Sequence, residues 1–270
     1  MAVVALAAAT LSGCGADRTT TPGPARPVES ANATKVRLPP VHGGFDYQIG
    51  GSYSPPPGVA IVSRDHSASP ATGVYNICYV NAFQAQSGEQ GQWPADLLLH
   101  DRNGQLVIDR DWNEALLDIG TPGKRARVAA RIDRWIDECA AKGFNAVEPD
   151  NYDSYSRSDG LLTANDAVAF VTLLADHAHA RGLAVGQKNT AELASSRSRT
   201  HLDFAVAEEC AEYDECGTYA AAFADHVVVV EYTDQGLRKA CSAFGNRLSI
   251  VRRDREVTAP HDNGYVRGTC

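Results

Sequence analysis

Acidic side chains stand directly after several short apolar runs of this sequence. Glu148 and Asp150 follow one run, and Glu208 and Glu209 follow another. Two carboxyl groups that flank one glycosidic bond can hydrolyse it, because one attacks the anomeric carbon and the other protonates the leaving oxygen. Negative charges close together raise the pKa of one partner, so the two roles can separate. The pattern therefore indicates acid–base chemistry on a sugar.

Other polar residues at the ends of the same runs are candidates for binding the substrate. Tyrosine and asparagine side chains suit the faces and hydroxyl groups of sugars, and a lysine can neutralise an acidic cluster or hold a hydroxyl group. The candidate binding residues are Asp46, Asp118, Glu148, Asn151, Tyr152, Lys188, Asn189, Glu231 and Tyr232. Carboxylates supply this chemistry alone, so we expect neither a metal ion nor a cofactor.

The apolar runs alternate with helical patterns, and together they must position these residues. Nearly all-apolar runs are typical of buried parallel strands. The expected strands are 45–49, 75–80, 115–119, 144–148, 183–187, 204–207, 226–231 and 248–251. Eight strand–helix units predict a (β/α)8 TIM barrel, in which catalytic groups stand at the carboxyl ends of the strands. A doubly wound open sheet is the alternative, but no glycine-rich nucleotide motif follows the first strand.

Amphipathic helices are expected between the strands. One apolar face at helical spacing, ended by Gly143, is formed by Val128, Ile132, Trp135, Ile136 and Cys139. Thr163 and Asp166 predict a capping box at the start of a second helix, which Gly182 ends. Residues 219–223 and 237–244 are expected to supply the later helices.

Three segments, in order along the chain, resemble the endo-α-1,4-polygalactosaminidase family of glycoside hydrolases. They are GFNAVEPDN at 143–151, HAHARGLAVGQKN at 177–189 and FAVAEECAEYDEC at 204–216. Asp118 resembles the aspartate of the family's WLDI segment, and Glu231 with Tyr232 resembles its late EY pair. The resemblance spans residues 45–235.

This resemblance implies a role for each central carboxylate. Asp150 is the candidate nucleophile and Glu208 the candidate acid/base, with Glu209 as the rival for the second role. The implied enzyme is a retaining, endo-acting glycoside hydrolase of α-1,4-linked galactosamine or N-acetylgalactosamine chains. An acidic pocket also suits such a cationic polymer, because Coulomb attraction draws ammonium groups in.

Three other functions remain open from the sequence. Lys188 at a strand end could form a Schiff base, which would make the protein a lyase or aldolase. The early segments depart from the family, so the chain could be a sugar-binding barrel with weakened catalysis. The same carboxylates could also cleave another exopolysaccharide.

The composition of the first 43 residues indicates an export segment and a tether rather than part of the folded domain. Residues 1–14 form a short apolar segment ending in Leu-Ser-Gly-Cys, which resembles a signal peptide with a bacterial lipobox, and Cys14 is the expected lipidation site. Residues 15–43, rich in proline and threonine, predict a disordered tether. Residues 44–270 form the single predicted domain. The expected location is extracellular, or the cell surface through a lipid anchor.

Composition limits the partners and supports oxidising surroundings. Among the seven cysteines, six fall in the predicted barrel, and Cys210 with Cys216 is the expected disulfide; Cys78 and Cys139 could be free buried thiols. The net charge of −8 gives no general attraction to nucleic acid or to an anionic membrane. We expect a monomer whose partner is a polysaccharide and whose membrane contact, if any, runs through Cys14.

Overall fold

The computed structural model describes residues 36–270. Its strands are β1 (Gly44–Gln48), β2 (Val59–Asp65), β3 (Tyr75–Asn81), β4 (Gln84–Ala85), β5 (Ile108–Asp109), β6 (Glu114–Leu116), β7 (Ala146–Asp150), β8 (Ala184–Lys188), β9 (Phe204–Glu208), β10 (Val227–Glu231), β11 (Ser249–Arg253) and β12 (Arg267–Gly268). Its α-helices are α1 (Pro122–Lys142), α2 (Ala164–Ala180), α3 (Arg197–Thr200), α4 (Cys216–Phe223) and α5 (Asp234–Phe244). Short 3-10 helices lie at Gln90–Gln92, Ala95–Leu97, Ser154–Arg157 and Ala191–Ser196.

Eight of these strands run parallel and form the wall of a barrel. Backbone hydrogen bonds join them in the order β1-β2-β3-β7-β8-β9-β10-β11. The last of them packs against β1, which closes the ring, and β12 extends β11 as a short antiparallel strand. The predicted (β/α)8 barrel is confirmed.

One predicted barrel strand was wrong, and one barrel strand was missed. Residues 115–119 do not join the wall, because β6 pairs antiparallel with β4 and β5 in a separate three-stranded sheet. The missed strand is β2, which the connections 49–58 and 66–74 join to its neighbours without a helix. The prediction assumed one helix between successive strands, so it missed a strand that only loops connect to its neighbours. The first two strand–helix units are therefore strand–loop units.

The predicted helices agree with the structure. The side chain of Thr121 accepts a hydrogen bond from the backbone of Lys124 and caps α1, which ends at Gly143 in the left-handed conformation (φ 91°). Thr163 and Asp166 form the predicted reciprocal capping box of α2. Helices α4 and α5 cover the two later helical segments.

Large aromatic side chains fill the inside of the barrel. Phe45, Tyr47, Tyr75 and Phe204 are all buried there. A Cβ atom at Gly186 would lie 2.9 Å from the ring of Phe204. Glycine at this position of β8 therefore lets the Phe204 ring cross the barrel, one side-chain layer below the end of that strand.

The described end of the predicted tether packs against the amino-terminal end of the barrel. Val36 and Leu38 contact the inner core. The carbonyl oxygen of Arg37 accepts a hydrogen bond from Tyr75 Oη at 2.7 Å. Residues 36–43 therefore differ from the expected disordered tether, because their apolar side chains cover the barrel bottom. The export segment 1–14, Cys14 and the rest of the tether lie outside the described residues.

Three disulfides tie the described chain together. Cys210–Cys216 was expected, and Cys78–Cys139 and Cys241–Cys270 join the other four cysteines of the barrel. The alternative of free thiols at Cys78 and Cys139 is wrong, because β3 and α1 place the two side chains in contact. In residues 36–270, no helix has the length and apolar character needed to cross a bilayer.

We expect the Cys78–Cys139 bond to stabilise the fold more than the Cys210–Cys216 bond. The first spans 61 residues and the second 6, and closing a longer loop removes more entropy from the unfolded chain. Replacing Cys78 and Cys139 by alanine should lower the free energy of unfolding by about 2–4 kcal/mol. Denaturant titrations of both double-alanine variants measure this, and equal losses would contradict it.

Candidate active site

An open cavity of about 290 Å³ lies at the carboxyl ends of the barrel strands. Asp150, Lys188 and Glu208 line it from the ends of β7, β8 and β9. Predicted site residues Asn151, Asn189 and Tyr232 line it too. Three neighbouring strands thus bring together residues that lie up to 58 positions apart, between 150 and 208 in the sequence.

The Lys188 ammonium group is the centre of the site. Its Nζ lies 3.0 Å from Glu148 Oε1, 3.1 Å from Asp150 Oδ1 and 3.4 Å from Glu208 Oε2. Only 2% of its side chain is exposed. Burial lowers the pKa of Lys188, but Asp150, Glu208 and Glu148 together hold that pKa well above its usual value. Lys188 is therefore a fixed positive charge.

Glu148 forms the floor of the site beneath Lys188. Its Oε1 accepts a hydrogen bond from Tyr47 Oη and its Oε2 one from Ser63 Oγ, both at 2.7 Å. Burial raises the pKa of Glu148, although Lys188 opposes this shift. Glu148 was predicted to bind the substrate, but it does not line the cavity and instead holds Lys188.

Asp150 stands one layer higher on the same strand and reaches the cavity. Its Oδ2 accepts a hydrogen bond from Tyr79 Oη at 2.7 Å. Burial raises the pKa of Asp150, but Lys188, Tyr79 and the backbone N–H of Asn151 outweigh burial and leave that pKa below its usual value. Asp150 therefore ionises more readily than Glu148, although the two residues lie only two positions apart on β7.

Glu208 shares the cavity with Asp150, and two neighbours hold its carboxylate. The side chains of Asn189 (Nδ2, 3.0 Å) and Tyr232 both donate hydrogen bonds to it. The side chain of Asn189 also accepts a bond from the Glu208 backbone at 2.8 Å. Glu209 does not line this cavity, and its carboxylate pairs with Arg255 at 2.9 Å. Strand alternation therefore separates the two glutamates as expected.

Several residues of the site were not predicted. Tyr47, Ser63 and Tyr79 hold the two carboxylates of β7, and Glu114 lines the cavity from outside the barrel wall. The three hydroxyl-bearing residues lie within strands, so only the register of neighbouring strands shows that they meet Glu148 and Asp150. No local sequence signal indicates Glu114.

Two of the predicted binding residues form ion pairs away from the cavity. Asp46 is fully buried and contacts Arg267 Nε at 3.0 Å and Tyr53 Oη at 3.1 Å. It therefore joins β1 to the chain end. Asp118 pairs with Lys124 at the start of α1 and accepts the backbone N–H of Gly120. Its segment leaves the barrel wall, so it cannot stand at a strand end there.

Tyr152 and Glu231 are also buried away from the substrate cavity. Tyr152 packs on the ring of Phe83 at 5.7 Å. Glu231 accepts the backbone N–H of Ala211 at 2.9 Å and lies beside Cys210 and Cys216. This cluster offers no thiolate for a metal ion, because its two cysteines are bonded to each other.

The arrangement suits hydrolysis better than Schiff-base chemistry. A Schiff-base lysine must lose its proton to attack a carbonyl group. Three carboxylates around Lys188 oppose that loss. In contrast, Asp150 and Glu208 present carboxylate oxygens in one open cavity, which is the arrangement that two-carboxylate hydrolysis of a glycosidic bond needs.

Comparisons with known proteins agree with this chemistry. The profile of glycoside-hydrolase family GH114 matches residues 25–270. None of the curated protein sequences compared matches this chain. The crystal structure of Aspergillus fumigatus Ega3 in complex with galactosamine has a TM-score of 0.72 and 25% identity, and covers 88% of this chain and 100% of Ega3. The glycoside hydrolase domain of PelA from Pseudomonas aeruginosa has a TM-score of 0.56 and 16% identity, with 83% and 96% covered, and shows the fold alone.

We expect Lys188→Met to raise the pKa of Asp150, because it removes the charge that stabilises the ionised form. Carbon-13 NMR of aspartate-labelled protein measures this titration, and the spectrum of Asp150→Asn assigns its signal. Lys188→Arg keeps the charge and serves as the matched control. An unchanged Asp150 titration in a folded Lys188→Met protein would show that Lys188 does not set this pKa.

Proposed function

The chain belongs to glycoside-hydrolase family GH114, and we propose that it cleaves α-1,4-linked chains of galactosamine or N-acetylgalactosamine. The family predicted from the three sequence segments is thereby confirmed, and the protein is a glycoside hydrolase. The proposal for this substrate rests on one observation: Asp150 and Glu208 contact the same Lys188 ammonium group in an acidic cavity. The match to Ega3, determined with galactosamine, supports the same sugar.

In the proposed mechanism, the two carboxylates act in two steps. Asp150 attacks the anomeric carbon while the bond to the leaving oxygen breaks, and protonated Glu208 gives that oxygen its proton. Glu208, now ionised, then takes a proton from water. The water oxygen attacks the anomeric carbon and releases Asp150. The low pKa of Asp150 keeps the attacking group ionised.

The spacing around Lys188 supports a retaining course. Asp150 Oδ1 and Glu208 Oε2 lie 3.1 Å and 3.4 Å from one nitrogen atom. These two oxygens can therefore be at most about 6.5 Å apart, which favours the separation of about 5–5.5 Å in retaining enzymes over the range of about 6.5–9.5 Å in inverting ones.

The shape of the surface supports cleavage within a chain. Beyond Glu208, a second open space of about 280 Å³ continues from the cavity. Trp112 and Tyr213 line it, and they are 51% and 66% exposed. Exposed aromatic faces beside a sugar cleft can carry further sugar units. We therefore propose that the polymer binds on both sides of the cleaved bond.

We also propose that the enzyme is exported and acts as a monomer outside the cell, with Cys14 as a possible lipid anchor. Disulfides persist in oxidising compartments. The three disulfides of the barrel support this location, and the apolar segment 1–14 supports it from the sequence.

We expect wild-type protein to release reducing ends from galactosamine polymers and from no unrelated exopolysaccharide. Asp150→Asn and Glu208→Gln should each lower kcat by about 100-fold or more, because each removes a group needed in the transition state. Glu209→Gln is the matched control for kcat, since Glu209 pairs with Arg255 and lines only the second open space, outside the cavity that holds Asp150. Full activity of both variants on the true polymer, or an equal loss in Glu209→Gln, would contradict these roles.

The retaining course predicts the α-anomer as the first product from an α-linked chain. Proton NMR during the first minutes of hydrolysis distinguishes the anomers before they equilibrate in water. An initial β-anomer would instead require an inverting mechanism, with a water molecule between the substrate and one of the carboxylates.

A further inference from the structure

We propose that Glu114 selects substrates that carry a free amino group, by pairing its carboxylate with the ammonium group of the galactosamine unit held at Asp150. This inference rests on the proposed function and names the substrate form that the site prefers. Glu114 begins β6 in the small antiparallel sheet, so it approaches the cavity from outside the barrel wall.

Two asparagine side chains hold the Glu114 carboxylate in place. Its Oε2 accepts hydrogen bonds from Asn81 Nδ2 at 2.8 Å and from Asn151 Nδ2 at 3.4 Å. Within residues 36–270, no hydrogen bond or ion pair involves Glu114 Oε1. Glu114 lines the cavity together with Asp150. The carboxylate is thus fixed by one oxygen and has the other available for a ligand.

The position of Glu114 fits the amino group of the reacting sugar. Asn81 is the register partner of Asp150 in the barrel sheet, and Asn151 follows Asp150 directly. The two residues that hold Glu114 therefore also flank the proposed nucleophile. In galactosamine, the amino group is on C2, next to the anomeric carbon that Asp150 would attack. A sugar placed for attack brings its amino group to the surroundings of Asp150.

The other carboxylates of the cavity have partners within the described chain, except that of Glu256, which is exposed to solvent. Asp150 and Glu208 share Lys188, and Asp153 pairs with Arg157 at 2.6 Å. Asp65 Oδ1 accepts the backbone N–H of Ser67 and so closes its own turn. In contrast, no lysine, arginine or histidine of the described chain forms an ion pair with Glu114. A substrate ammonium group would supply that missing partner.

The electrostatic surroundings of Glu114 agree with this role. Burial raises the pKa of Glu114 to about 7, with Asp150 on β7 and Asp109 on β5 adding to the shift and Asn81 and Arg157 opposing it. An opposite charge favours the ionised form. Binding of an ammonium group should therefore release a proton below pH 7, and the preference for amino sugars should weaken as pH falls through that value. N-acetylation removes the ligand charge and with it this pairing.

Trp112, in the connection between β5 and β6, should bind the sugar without distinguishing the amino form from the acetylated form. It lines the cavity two residues before Glu114 and is largely exposed. An indole ring packs on the face of a sugar whether or not the amino group is acetylated. Loss of Trp112 should therefore weaken binding of both substrate forms, whereas loss of the Glu114 charge should weaken only the amino form.

The test compares matched α-1,4 oligosaccharides, one fully deacetylated and one N-acetylated. In Glu114→Gln, kcat/KM for the amino form relative to the acetylated form should fall by about 10- to 100-fold, the typical effect of losing a charged hydrogen bond. Trp112→Ala should lower both values and keep their ratio. Asp111→Asn removes the same charge from an exposed position of the same loop, and should also keep the ratio. Glu114→Asp should keep part of the preference.

Each outcome decides between the proposals. If wild-type protein cleaves neither oligosaccharide, the proposed function is wrong and this inference falls with it. If it cleaves them but Glu114→Gln, shown to be folded by its thermal melting temperature, keeps the wild-type ratio, only the inference is overturned. A wild-type preference for the acetylated form would also overturn it. A ratio that changes equally in Asp111→Asn would assign the effect to overall charge instead.

Discussion

A single buried ammonium group determines the geometry of the active site. Three carboxylates meet there, two from β7 and one from β9, the strands on either side of β8. Burying an unpaired charge costs several kcal/mol even after the protein relaxes. Lys188 contacts all three and is almost completely enclosed. A compact ammonium group donates three hydrogen bonds in different directions, whereas a planar guanidinium group would favour one carboxylate. The charge of Lys188 therefore makes the convergence of Glu148, Asp150 and Glu208 physically possible.

The same interaction separates the properties of two carboxylates on one strand. Glu148 lies in the lower layer, where burial raises its pKa, and Asp150 lies at the cavity, where Lys188 and Tyr79 lower its pKa. Because side chains alternate along a strand, residues two apart share a side but occupy successive layers. The lower layer in turn depends on the Phe204 ring, which fits because β8 has glycine at 186. Packing in the barrel thus sets the depth at which each charge lies.

Local signals in the sequence predicted the barrel and its central residues. Asp150, Lys188 and Glu208 could be found because each directly ends a run of buried residues. Glu114 could not be found in this way, since the antiparallel sheet that carries it is an addition to the barrel. Likewise, Asp118 was wrongly expected in the site because its apolar run resembles a barrel strand. Contacts between strands depend on register, which a single sequence does not reveal.

The turn after Glu208 involves two acidic residues that do not line the cavity: Glu209, the rival for the acid/base role, and Glu231, which was expected to bind substrate. Glu209 has a left-handed backbone (φ 53°), a conformation that costs energy in a glutamate but less in the asparagines that follow Asp150 and Lys188. The backbone N–H of Glu209 donates to Val230 at 2.8 Å. Glu231 holds the next turn through Ala211, and the Cys210 disulfide closes the loop. Glu231 thus stabilises the turn that follows Glu208, whereas Asn189 and Tyr232 hold the Glu208 carboxylate itself.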